Sequence, residues 1–177
     1  MKALLVIDMQ KGSFSPYELK YDTFGVIERI NRLSSHFRAS NVKVIFIQHD
    51  GTKDGCFLPN TDDWEMLPEL VQHPSDLVVS KTANDAFYQT DLQSILANED
   101  ITELVITGSA TDFCVDSTIK AALSRDYNVT VVEDGHTTGD RPFVDAVSLI
   151  KHYNWLWDDM TATKFKIKVV KTDEFLN

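Results

Sequence analysis

The chain has 177 residues, 43% apolar and 25% charged, which is the composition of an ordinary globular protein with room for a sizeable core. Its formal net charge of −10 excludes the concentrated Lys and Arg that a nucleic acid or an anionic membrane surface would require. Two cysteines, Cys56 and Cys114, are too few for a disulfide framework, and no apolar run approaches membrane-spanning length.

The N-terminal stretch "MKALLVIDMQ" has an apolar part too short for a signal peptide, and an acid interrupts it. We read Ala3 to Ile7 as a first core strand and expect a cytoplasmic protein with reduced thiols. Phe24, Ile27, Ile30, Leu33 and Phe37 recur at helical spacing and predict an amphipathic helix, with Asp22 or Thr23 as its N-cap. "VKVIFI" (Val42 to Ile47) is the second strand. A long connection then runs from Gln48 to Leu77, and loops of that length in a small domain usually serve function. "LVV" (Leu77 to Val79), "ELVIT" (Glu103 to Thr107) and "VTVV" (Val129 to Val132) are further strands. "TDLQSILAN", "VDSTIKAAL" and "FVDAVSLIKHYNWLW" have helical periodicity, and "KIKVV" (Lys166 to Val170) is a final strand.

The strands are short, rich in β-branched residues and mostly not alternating. That pattern marks strands buried on both faces, as in a parallel sheet. Strand and helix alternate without repeats or linkers. The expectation is one domain, residues 1–177, folded as a three-layer α/β/α sandwich.

Such sheets bind ligands beyond the carboxyl ends of their strands. The residues there include Asp8 and Gln10, then Gln48, His49 and Asp50, then Lys81, the Gly108 to Cys114 loop, and Asp134 to His136. Among them are a carboxylate, an amine and a thiol. A cysteine is a strong nucleophile only as thiolate. If Thr111 or Asp112 caps the helix that follows, Cys114 lies in its first turn, where the helix dipole and a nearby Lys81 would favour the ionised sulfur. Asp8 would then accept and return a proton, and backbone N–H groups of the turn would face a developing oxyanion. Phe14, Trp64, Phe87, Phe113 and His136 lie in segments expected to flank the site and to stack on a small planar substrate. Gln10 and His49 complete the expected substrate contacts. Trp155 and Trp157 look structural, and Cys56 has no base with a claim on it.

"LLVIDMQKGSF", "VVSKTANDAFYQTDLQSIL", "LVITGSATDFCVDSTIKAAL", "VVEDGHTTGDRP" and "IKHYNWLW" occur in this order over nearly the whole chain. With these pieces the sequence resembles the isochorismatase-like cysteine hydrolase superfamily. The resemblance implies a Rossmann-like, mostly parallel six-stranded sheet and a triad of Asp8, Lys81 and Cys114. It also implies a cis peptide between Ser109 and Ala110, with the N–H groups of Ala110 and Cys114 forming the oxyanion hole, and a homo-oligomer, dimer or tetramer. Nicotinamidases of this superfamily carry an Asp-x-His metal motif after the second strand. The segment "QHDGTKDGCFLPN" does not match it, and His73 in "VQHPSD" is expected at the surface, so no metal and no cofactor is expected. The retained thiol favours hydrolysis of a C–N bond in a small amide, imide or urea-like molecule. Enol-ether hydrolysis of an isochorismate-like substrate, or a non-catalytic binding role on the same fold, are the alternatives.

Overall fold

Six strands, none longer than ten residues, assemble into one sheet in the computed structural model, which describes residues 1–161 and 163–177. They are β1 (Lys2–Ile7), β2 (Lys43–His49), β3 (Leu77–Lys81), β4 (Glu103–Ser109), β5 (Asn128–Thr137) and β6 (Lys168–Val170). The order across the sheet is β3-β2-β1-β4-β5-β6, and every neighbouring pair is parallel. The expected sandwich is therefore present, with a wholly parallel sheet.

Helices cover both faces, because the central strands are apolar on both sides. On one face lie α1 (Thr23–Ala39) and α5 (Thr172–Leu176), packed over Leu4, Val6, Val44, Phe46 and Val132. On the other lie α2 (Leu92–Asn98), α3 (Asp116–Leu123) and α4 (Ala146–Asp159), packed over Leu5, Ile7, Ile45, Ile106 and Val131. The buried face of α1 is Val26, Ile27, Ile30, Leu33 and Phe37. Phe24, expected on that face, is 62% exposed and packs edge-on against Tyr17 instead. Asp22 sits at the N-cap position without capping, because its carboxylate is taken by Arg29. On α4, Trp157 is fully buried and donates to Asp116, whereas Trp155 points outward.

The strand order reverses between β1 and β4, which lie side by side at the centre. Their carboxyl ends diverge into connections on opposite sides, and the gap between them is the natural ligand crevice. At that point Gly108, near the end of β4, has a φ of +118°, and a Cβ built on it would collide with the backbone of Ile7. The register between β4 and β5 also shifts there, so that β5 runs on to Thr137 rather than ending at Val132. The third strand is an edge strand: it pairs only with β2, and Val78, expected to be core, is 55% exposed.

Gly108→Ala should therefore destabilise the fold by about 3 kcal/mol or more, since both the left-handed backbone and the contact with Ile7 oppose a side chain. Urea unfolding followed by circular dichroism measures this; a loss under about 0.5 kcal/mol would show that the two strand ends can separate freely.

Candidate active site

Three strand ends converge on the crevice. Asp8 follows β1 directly, held at φ 47° with its N–H donated to the carbonyl of Ile47. Lys81 is the last residue of β3, and Cys114 lies in a π-helical turn, Thr111–Val115, between β4 and α3. The Lys81 ammonium, 1% exposed, donates to Asp8 Oδ2 at 2.6 Å and to the Ala83 carbonyl at 2.9 Å, and lies 3.4 Å from Cys114 Sγ. The structure thus brings together the three groups that the sequence placed far apart.

The charge state of the sulfur differs from the expectation. Neither Thr111 nor Asp112 caps a helix. The Thr111 hydroxyl bonds His136 Nδ1 at 2.9 Å, and Asp112 accepts from Arg141 and Thr138. Burial, with the negative charge of Asp8 next, pushes the Cys114 thiol up to about 12, and the Lys81 ammonium opposes this only in part. Burial and the Asp8 charge thus both favour the protonated sulfur. Asp8 Oδ1 is buried without a hydrogen-bond partner among the described residues, so it is the acceptor left open for that proton. The sulfur also approaches Asn84 Oδ1 at 3.5 Å.

A cleft of about 210 Å³ opens over the sulfur, lined by Asp8, Lys20, His49, Asn84, Phe113 and Arg141 among others. Of the expected substrate contacts, His49 and Phe113 are in it. His49 lies 3.5 Å from the Lys81 ammonium, and burial followed by that positive charge lowers its pKa, which favours the neutral imidazole. Phe113 is 48% exposed, with the Arg141 guanidinium 4.9 Å above its ring. The other five expected contacts are elsewhere. Gln10 is buried and spends its amide on the fold, accepting from His49 N and donating to the carbonyls of His49 and Trp64. Trp64 is held there by its backbone, and its carbonyl also accepts from Gln48. Phe14 is buried in the core beneath α1, and Phe87 packs against Tyr127 beneath α2. His136 is 2% exposed, with both ring nitrogens engaged, by Thr111 and Asn154, and burial lowers its pKa to about 4. It braces the turn that carries Cys114 and does not face a ligand.

Lys20, Asn84, Phe57 and Arg141 line the cleft without having been singled out in the sequence. Asn84 stood three residues beyond Lys81 in the same quoted motif. Arg141 stood in the quoted motif "VVEDGHTTGDRP", whereas Lys20 and Phe57 lie in irregular segments with no periodicity to read. Among the described residues, no group of three His, Cys, Asp or Glu side chains is arranged to hold a metal ion. Among the same residues, no helix is long and apolar enough to cross a membrane.

The fold is a Rossmann-like parallel sheet with a buried ion pair and a thiol at its switch point, the place where such sheets bind ligands. Residues 2–151 match the family model of the isochorismatase domain, and the chain belongs to the isochorismatase family of hydrolases. A streptothricin hydrolase of Streptomyces noursei is 33% identical over 148 residues, which are 84% of this chain and 59% of that protein. The chain thus spans little more than half the length of that relative. An uncharacterised isochorismatase family protein of Bacillus subtilis is 30% identical over 175 residues, 97% of this chain and 96% of its own. The crystal structure of another isochorismatase family protein superposes with a TM-score of 0.88 at 30% identity, covering 96% of this chain and 98% of that one.

The raised thiol pKa has a measurable sign. Iodoacetamide labelling of Cys114 should climb about tenfold per pH unit between about 7 and 10 without levelling, because the thiolate fraction does. Asp8→Asn removes the charge that disfavours the thiolate while leaving Lys81, so labelling near neutrality should become faster. A wild-type profile that levels below about pH 8 would show a resting thiolate and refute this charge assignment.

Proposed function

We propose that this chain is a cysteine hydrolase that cleaves the C–N bond of a small amide, imide or urea-like substrate. The observation that carries this reading is the contact of one buried ammonium, Lys81, with both the Asp8 carboxylate and the Cys114 sulfur. A purely structural buried pair has no need of a nucleophile beside it, nor of an open carboxylate oxygen such as Asp8 Oδ1.

In this mechanism the thiol proton passes to Asp8 as the sulfur attacks the substrate carbonyl. The carbon–sulfur bond forms while the carbonyl π pair moves onto oxygen. The N–H groups of Ala110 and Cys114 are assigned to that oxyanion; the cis peptide between Ser109 and Ala110 belongs to the same loop. Lys81 screens the charge that builds as sulfur loses its proton. Collapse of the tetrahedral species returns the proton from Asp8 to the leaving nitrogen, and ammonia or an amine departs. Water, deprotonated by Asp8, then cleaves the thioester and restores the thiol. The relative named for streptothricin hydrolysis supports hydrolytic chemistry, and the cleft of about 210 Å³ supports a small substrate or a small part of a larger one.

Screening small amides and ureas for ammonia release tests the reading. Cys114→Ala should lower turnover at least about a thousandfold while leaving the melting temperature nearly unchanged. A slow substrate should leave a mass increment equal to its acyl group on Cys114. Retained turnover in Cys114→Ala would overturn the assignment, and turnover of an isochorismate-like enol ether without any acyl adduct would replace C–N hydrolysis with the alternative chemistry.

A further inference from the structure

The cleft over Cys114 contains one positive charge that has no ion-pair partner among the described residues. Its charged lining is Asp8, Lys20 and Arg141. Asp8 is matched by Lys81 at 2.6 Å. Arg141 is matched by Asp112, through Nε at 2.7 Å and Nη2 at 3.0 Å. The Lys20 ammonium has neither an ion pair nor a hydrogen bond among the described residues, and the aromatic face of Phe14 is 5.9 Å away. Burial and then the neighbouring Arg141 charge lower its pKa, and the Asp112 carboxylate, already engaged by Arg141, opposes this only in part. This occurs in a chain whose net charge is −10, with anions abundant elsewhere on its surface.

The position of Lys20 is also built. It follows a short 3₁₀ turn, Tyr17–Leu19, and its N–H bonds back to the Tyr17 carbonyl. The next residue is tied to the end of β5 twice, with Tyr21 N donating to the Thr138 carbonyl and Thr137 Oγ1 donating to the Tyr21 carbonyl. Gly139 lets this segment lie close, since a Cβ there would strike the Leu19 carbonyl. The amine is thus presented to the cleft from a pinned backbone rather than from a free surface loop.

We infer that Lys20 is the specificity-determining residue of the cleft and that the molecule hydrolysed carries one carboxylate close to its scissile amide or ureido carbonyl. The uncompensated charge is single, so a monoanion balances it, and the remaining Arg141 nitrogen, Nη1, is free to share the same group. Amides that are cationic near the scissile bond are disfavoured by the same field. The reaction that this substrate undergoes rests on the cysteine hydrolase reading above, but recognition of the anion does not require turnover and is tested without it.

Iodoacetate and iodoacetamide differ mainly in the carboxylate, and both alkylate sulfur with loss of iodide. Cys56, exposed in the long loop, is an internal reference in the same molecule. Peptide mass mapping yields the rate ratio, iodoacetate over iodoacetamide, at each cysteine. The ratio at Cys114 should exceed that at Cys56 by about tenfold, should fall to the Cys56 value in Lys20→Met, and should be largely kept in Lys20→Arg. N-acetylglycine should protect Cys114 from iodoacetamide at concentrations about tenfold below those needed with its neutral N-methylamide. Equal ratios at the two cysteines of the wild-type protein, or a ratio at Cys114 unchanged in a folded Lys20→Met, would overturn the proposal. Failure of the hydrolase reading is seen separately, as turnover that survives Cys114→Ala.

Discussion

A lysine and an aspartate, both removed from water at the centre of an apolar sheet, are the constraint around which the rest of this structure is arranged. Burying either charge alone costs several kcal/mol, and removing one partner of such a pair typically costs about 3–5 kcal/mol. The pair holds because Lys81 makes two further contacts, with the Ala83 carbonyl and the Cys114 sulfur, and because His49 beside it is kept toward its neutral form. Two strands that are not neighbours, β1 and β3, are joined at their ends through these side chains. Among the described residues the arrangement leaves Asp8 Oδ1 as a buried acceptor without a hydrogen-bond partner, close enough to Cys114 to take a proton from sulfur.

The nucleophile is positioned by a separate set of interactions. Gly108 lets β4 approach the end of β1, and the chain then passes through the Ser109–Ala110 peptide into a π-helical turn. In that turn the Val115 N–H reaches the Ala110 carbonyl five residues back. Thr111 is anchored to the buried His136 and Asp112 to Arg141 and Thr138, so the two residues before Phe113 are fixed from β5 and its following loop. The wider π turn places Cys114 toward the ion pair before regular helix begins at Asp116. His136 and Asp112 thus act on the sulfur through the backbone and do not touch it.

Much of this was legible from the sequence for a physical reason: parallel strands buried on both faces leave uninterrupted apolar runs, which marked five of the six strands, while the alternating "KIKVV" marked the last. Their ends were also the right place to look, which is how Asp8, Lys81 and Cys114 were found. What failed was orientation. Phe14, Phe87 and His136 lie near strand ends, yet a position near the crevice does not say which way a side chain points, and burial of apolar area favours the core for the aromatics. Gln10 was misread because its amide satisfies backbone groups of a loop more than fifty positions away, an arrangement with no local signature. The helix-start argument for an ionised sulfur left out burial and the Asp8 carboxylate, both of which disfavour the thiolate. Lys20 was invisible because its meaning depends on the absence of a partner in three dimensions.

One consequence follows from the place of β3 at the border of the sheet. It hydrogen-bonds to a single neighbour, is only five residues long, and presents Val78 to solvent, so it is held less firmly than the central strands. Yet its last residue supplies the ammonium on which the central charges rely. Fraying at this margin would withdraw Lys81 from Asp8 and Cys114 before the central strands separate.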